Sequence, residues 1–187
     1  PNPDIELGAT GNSDAEVVGS VISRLSPALA EMQPDVVVFL GDTNTVMGCI
    51  AAAQLNLPVV HIEGCMRSYD WRMPEEKYRT IIDHTSDRIY TYFPEYKEQG
   101  VREGLNPRNI VVIQNLIVDV LQHYFFDRKA EYDEYASDEF FAERGIKRDE
   151  FFLMTCHRRE SVEAPEALKA ILDVIERSPW PVYFPAS

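Results

Sequence analysis

Cysteine is scarce in this 187-residue chain, and positive charge is outnumbered. Only Cys49, Cys65 and Cys156 occur, widely spaced and with no CxxC pair. That argues against a disulfide framework or a structural zinc site and favours a reducing cytoplasm. No stretch reads as a signal peptide, and no apolar run approaches the roughly 20 residues of a membrane span, so no membrane partner is expected. Lys and Arg number 18 against 31 Asp and Glu, a net charge of −13. Such a chain repels nucleic acid and anionic lipid in bulk, and any anionic ligand must be held by a local basic cluster. GxGxxG, GxSxG, HExxH and DxDxDG are all missing, which removes the dinucleotide fingerprint, the serine nucleophile elbow and the common metal spacings. His61 and Glu63 stand two apart on one strand without flanking ligands, so no metal is assigned to them. There is no internal repeat and no low-complexity tract.

What is present is a 45% hydrophobic composition, ample for a buried core, arranged as short β-rich runs alternating with helical patterns. Residues 34–42 (PDVVVFLGD) read as a strand buried on both faces, 57–63 (LPVVHIE) as a second, 88–93 as a third and 109–113 as a fourth. Between them, 44–55 read as an apolar helix, Pro74 to about Ser86 as a helix with Glu75 and Glu76 at its positive end, and 94–104 as a helix closed by glycine. An amphipathic helix over 14–32 precedes the first strand. After residue 113 an aromatic, charged helical stretch leads to a buried strand at 151–156, a helix from 164 and a strand at 181–184. This alternation predicts an α/β fold of doubly wound parallel sheets. A hinge is expected near Gln114 and Asn115, giving partial domains 1–114 and 115–187. The chain starts without methionine and stops just after a strand, so it is expected to be a segment of a longer polypeptide.

Ligands of open parallel sheets bind beyond the carboxyl ends of the strands. Asp42 follows the first strand, Glu63 the second, and His157-Arg158-Arg159-Glu160 the strand at 151–156. Taken singly each has a bland reading: Asp42 as a helix N-cap, His157 as a loop histidine, Glu75 and Arg79 as an exposed i,i+4 ion pair. Their coincidence on one edge favours a site. Carboxylates there suit proton transfer, and arginines with one histidine suit a negative group such as phosphate.

Five segments in order carry a family resemblance: GDTNTV (41–46), HIEGCMRS (61–68), MPEEKYR (73–79), NLIVDVL (115–121) and CHRRES (156–161). With them the whole chain resembles the non-hydrolysing UDP-N-acetylglucosamine 2-epimerases. The resemblance implies a GT-B-like two-domain fold, incomplete in this chain, and inversion at C2 of UDP-N-acetylglucosamine by anti elimination of UDP and re-addition to the other face, with no cofactor. By matched position, Asp42, Glu63 and Glu75 would be the acid/base carboxylates and His157 would stabilise the departing UDP. Arg79 would brace Glu75 from one turn away, and Arg67 and Arg158 would contact the substrate. Glu76 would be a structural bystander. A homodimer is implied for the full-length protein.

Several positions depart from the family pattern. Gly64-Cys65 stands for Ala-Gly, which would move the flexible position by one residue; Tyr78 stands for Asn and Gln114 for the hinge Gly. The stretch RMPEE followed by IIDHTSD is also similar to relatives acting on UDP-2,3-diacetamido-glucuronic acid. The family's N-terminal GTRPE loop and C-terminal DSGGxQEE segment are not in these 187 residues, so the isolated segment is expected to lack measurable epimerase activity. Two further readings stay open: a GT-B glycosyltransferase, and a non-catalytic nucleotide-sugar-binding module.

Overall fold

The computed structural model describes residues 3–156 and 164–184. The chain divides into two compact units, Pro1–Asp119 and Val120–Ser187. In the first, α1 (Asp14–Met32) starts on an N-cap in which the Ser13 hydroxyl accepts from the Glu16 N–H, and Glu16 returns its carboxylate to the Asn12 N–H. That reciprocal pairing satisfies donors that a helix start otherwise leaves open. There follow β1 (Val37–Leu40), a 3₁₀ turn (Asn44–Gly48) running into α2 (Cys49–Gln54), β2 (Val59–Ile62), α3 (Pro74–Thr85), β3 (Arg88–Thr91), α4 (Pro94–Arg102) and β4 (Ile110–Val112). Pro74 and Pro94 each open a helix at its first turn, where the missing N–H costs nothing.

The four strands are parallel in the order β1-β2-β3-β4. Right-handed crossovers that always step the same way lay every connecting helix on the same side of the sheet. The register agrees. Phe39, His61 and Ile89 stand in one row across the sheet and Ile110 continues it. That face packs against Leu29 of α1, Cys49, Ala51 and Ala52 of α2, and Ile82 of α3 in one apolar cluster, and against Cys65, Tyr96 and Leu105 in a second. The described residues therefore contain one wing of a wound sheet. The expectation that the first strand is buried on both faces fails for this reason: Val38 and Leu40 point to the helix-free side and are 54% and 62% exposed.

The division between units falls within α5 (Ile117–Leu121). Beyond it, Gln122–Phe126 forms a π turn, Lys129–Ala136 a 3₁₀ stretch and Asp138–Ala142 a short α6, so the long helical run read from the sequence is broken. Then β5 (Phe152–Leu153), α7 (Pro165–Glu176) and β6 (Val182–Tyr183) make a parallel βαβ unit. Phe152 and Leu153 are 48% and 67% exposed, against the buried strand expected there; among the described residues β6 is the strand that pairs with them and α7 the one long helix of this unit. Among the described residues no helix is long and apolar enough to cross a membrane.

Candidate active site

Asp42 and Glu63 lie just past the carboxyl ends of the neighbouring strands β1 and β2. Between their carboxylates reaches Arg79 from α3, its Nη2 at 2.6 Å from Asp42 Oδ2 and 4.0 Å from Glu63 Oε1. The Arg79 side chain is only 11% exposed, while the two acids keep about a quarter of theirs open. Its Nε is buried with no hydrogen-bond partner among the described residues. The backbone cooperates at both acids: Gly41, before Asp42, has φ +80°, and Glu63 itself adopts φ +76°. A non-glycine residue held in the left-handed region is a strained placement of the kind that gathers at functional sites.

Tyr92, the residue directly after β3, was not singled out in the sequence. It is 8% exposed and hydrogen-bonds Glu63. Burial, then the charge of Glu63, pushes its phenol above the ordinary tyrosine range, with Arg79 opposing. It therefore stays protonated and donates to the carboxylate. Its only sequence signal was that position at a strand end.

Glu75 sits one helical turn before Arg79 on α3 and half-buried, on the stripe that also carries Asp83. It has no hydrogen bond or ion pair among the described residues. The expectation that Arg79 braces Glu75 is replaced by what the geometry shows: the guanidinium turns to Asp42 and Glu63. The placement of Glu76 differs again, because adjacent helix positions point about 100° apart. It is 3% exposed, and its carboxylate accepts from the Ser68 N–H and hydroxyl, both at 2.9 Å, and from the Tyr69 N–H at 2.8 Å. Burial works against its charge, but those donors, with Arg67 behind them, hold it below the usual carboxylate range. Stability from this group is thus present above the unfolded glutamate value and lost as pH falls through its lowered folded one. Replacing Glu76 with glutamine is expected to cost on the order of 1–3 kcal/mol near neutrality, with the gap to wild type narrowing on acidification in urea titrations.

Arg67 turns into the first unit. Its side chain is 3% exposed; Nη1 lies 2.8 Å from Asp83 and donates to the Met66 carbonyl, while Nε and Nη2 fork onto Glu103 at 3.0 and 2.7 Å. Burial alone would weaken its charge, yet the hydrogen bonds to Glu103 and the Asp83 charge raise it above even the ordinary arginine value. The substrate contact expected for Arg67 is therefore corrected to an internal cross-link: every arm of the guanidinium is engaged. His157 and Arg158, also expected at the site, lie outside the described residues.

Gly64 and Cys65, where the sequence departs from the family pattern, divide two constraints between them. The left-handed residue is Cys65 itself, at φ +64°. Gly64 is where space is lacking: a Cβ there would stand 2.3 Å from Ile89 Cγ2 and 2.6 Å from Asp83 Oδ1. Gly64→Ala is expected to destabilise unit 1 by about 1–3 kcal/mol, read as a lowered midpoint in chemical denaturation. The Cys65 thiol, pushed up to about 12 by burial and then by Asp83, is no nucleophile. Among the described residues no three His, Cys, Asp or Glu side chains are grouped to hold a metal ion.

A strand-edge pair of acids bridged by a nearly buried arginine can exchange protons with a bound ligand while the cation keeps both acids oriented. Residues 1–185 match the family described as UDP-N-acetylglucosamine 2-epimerase. The chain belongs to that family. It is 36% identical over 177 residues to a UDP-N-acetylglucosamine 2-epimerase of Methanocaldococcus jannaschii, covering 94% of this chain and 47% of the relative. A UDP-2,3-diacetamido-2,3-dideoxy-D-glucuronate 2-epimerase of Pseudomonas aeruginosa is 29% identical over 182 residues, with the same coverage of both chains. Among solved structures, the M. jannaschii UDP-GlcNAc 2-epimerase in complex with UDP-GlcNAc and UDP is similar at a TM-score of 0.86 and 33% identity, covering 98% of this chain and 51% of that one. The chain thus spans about half the length of the relatives it matches, and within this epimerase family its α/β class with parallel sheets is the one expected.

Proposed function

We propose that the protein carrying this chain is a nucleotide-sugar 2-epimerase acting on UDP-N-acetylglucosamine. In this reading Asp42, Glu63 and Glu75 surround the sugar as proton donors and acceptors, with Arg79 orienting the first two. The C2 proton of the sugar is barely acidic, so elimination of UDP to a glycal and re-addition to the opposite face is the route such carboxylates serve. The departing diphosphate needs cations, a role that falls to His157 and Arg158. The observation that carries the proposal is Arg79 reaching both Asp42 and Glu63 at adjacent strand ends in a member of this family. No cofactor has a part in this scheme. Three free thiols fit a cytoplasmic setting, and a homodimer is the assembly proposed.

The test is to incubate the product of the complete reading frame with UDP-N-acetylglucosamine and no acceptor. Formation of the C2 epimer supports the reading; consumption of substrate only when a sugar acceptor is added identifies a glycosyltransferase instead. The Pseudomonas relative favours a second substrate class, so UDP-2,3-diacetamido-glucuronate belongs in the same assay, and a higher kcat/KM for it would replace the first substrate while leaving the chemistry in place.

A further inference from the structure

The helix-covered face of the first sheet is apolar except at Thr91 on β3, whose buried hydroxyl has no hydrogen-bond partner among the described residues, and at one pair of charged-type side chains. His61 on β2 and Asp83 on α3 are both 0% exposed and lie between the two apolar clusters, flanked in the sheet by Phe39 on one side and Ile89 on the other. Buried polar groups at core positions weaken a fold unless fully bonded, and these are. His61 Nε2 lies 2.8 Å from the Gly41 carbonyl oxygen, and Nδ1 lies 2.7 Å from Asp83 Oδ1. Asp83 Oδ2 accepts from the Cys65 N–H at 2.9 Å and faces Arg67 Nη1 at 2.8 Å. A carbonyl can only accept, so Nε2 carries hydrogen; a second proton lies in the 2.7 Å contact between Nδ1 and Asp83 Oδ1, and that bond holds the ring in the orientation that aims it at Gly41.

The bond matters because Asp42 is the next residue in the chain. The Gly41 carbonyl belongs to the peptide joining Gly41 to Asp42, in a left-handed turn whose N–H donates to the Ile62 carbonyl at 3.0 Å. The imidazole therefore sets the plane of the peptide from which the Asp42 side chain departs. Arg79 and Asp83 stand one turn apart on α3. That helix thus grips the Gly41–Asp42 unit twice, at the carboxylate through Arg79 and at the carbonyl through Asp83 and His61.

We propose that His61, oriented by Asp83, is a positioning residue for Asp42, an inference that rests on the epimerase reading for its kinetic consequence. His61→Gln leaves an amide oxygen against the Asp83 carboxylate and frees the Gly41 peptide. In the complete protein kcat falls about 10²-fold, the scale of an ångström-sized misplacement, with KM changed less than about threefold. In the pair His61→Gln/Asp83→Asn, the new asparagine amide can donate to the glutamine oxygen and the glutamine amide to Gly41. This double variant recovers roughly tenfold of the lost kcat, because the bonded chain is restored without charge. Recovery of that kind would not follow from a role in packing alone. A His61→Gln enzyme with wild-type kcat, or a double variant no faster than the single one, overturns the proposal. A readout free of catalysis is ¹⁵N NMR of the wild-type protein, which is expected to show His61 Nε2 bearing hydrogen; an unprotonated Nε2 overturns the proposal even if the variants do not fold. Absence of wild-type epimerisation would remove the functional reading, and the separation of Asp42 from Arg79 in crystals of His61→Gln would then decide the positioning claim: unchanged from 2.6 Å, it fails.

Discussion

Replacing Arg67 with methionine is expected to destabilise the first unit by about 3–5 kcal/mol, the usual cost of breaking a buried ion pair by removing one partner. The loss is large because Asp83, at 0% exposure, has no water to replace the cation, while Glu103 can turn outward. A lysine variant should recover little of it, since a single ammonium cannot reproduce the fork onto Glu103 together with the contacts to Asp83 and the Met66 carbonyl. Chemical denaturation of the chain measures this, and a change below about 1 kcal/mol, the level of exposed ion pairs, would show that the cross-link is not what holds the loop after β2.

The opposite pattern is expected for Arg79, on α3. Arg79→Met is expected to lower kcat by about 10²-fold or more, with a much smaller effect on stability than Arg67→Met. Both acids that Arg79 serves keep about a quarter of their surface open, so water can solvate them when the cation goes. Their orientation is lost all the same, and two carboxylates on adjacent strand ends then repel each other. Steady-state rates beside denaturation midpoints for the two variants separate the roles. Equal stability losses with equal kcat would contradict this division between a structural and a catalytic-site arginine.

That distinction was beyond the sequence. Both arginines belong to one charged stretch, and nothing in its spacing says which guanidinium turns inward. The strand ends were legible, because five consecutive apolar residues closing on Gly-Asp can hardly be anything else, and so was α3, announced by Pro74. That Glu75 and Glu76 point apart followed from helix geometry; that Glu76 is the one tied to the Ser68 and Tyr69 loop did not. What escaped depends on side chains meeting across elements: Arg79 choosing Asp42 over Glu75, Tyr92 reaching Glu63, and His61 bridging Asp83 to a backbone carbonyl. The exposure of Val38 and Leu40 escaped for a different reason. Apolar runs report how much surface wants covering, whereas the strand order β1-β2-β3-β4 decides which side receives the helices.

The central claim is that Asp42 and its neighbours exchange a proton with the sugar at C2. Epimerisation by the complete protein in heavy water, compared with its Asp42→Asn variant, tests it most directly. Wild-type enzyme should introduce solvent deuterium at C2 of the product, and the asparagine variant should do so at least about 10²-fold more slowly. An epimer that keeps its original C2 hydrogen, or equal exchange rates in the two proteins, would contradict the account.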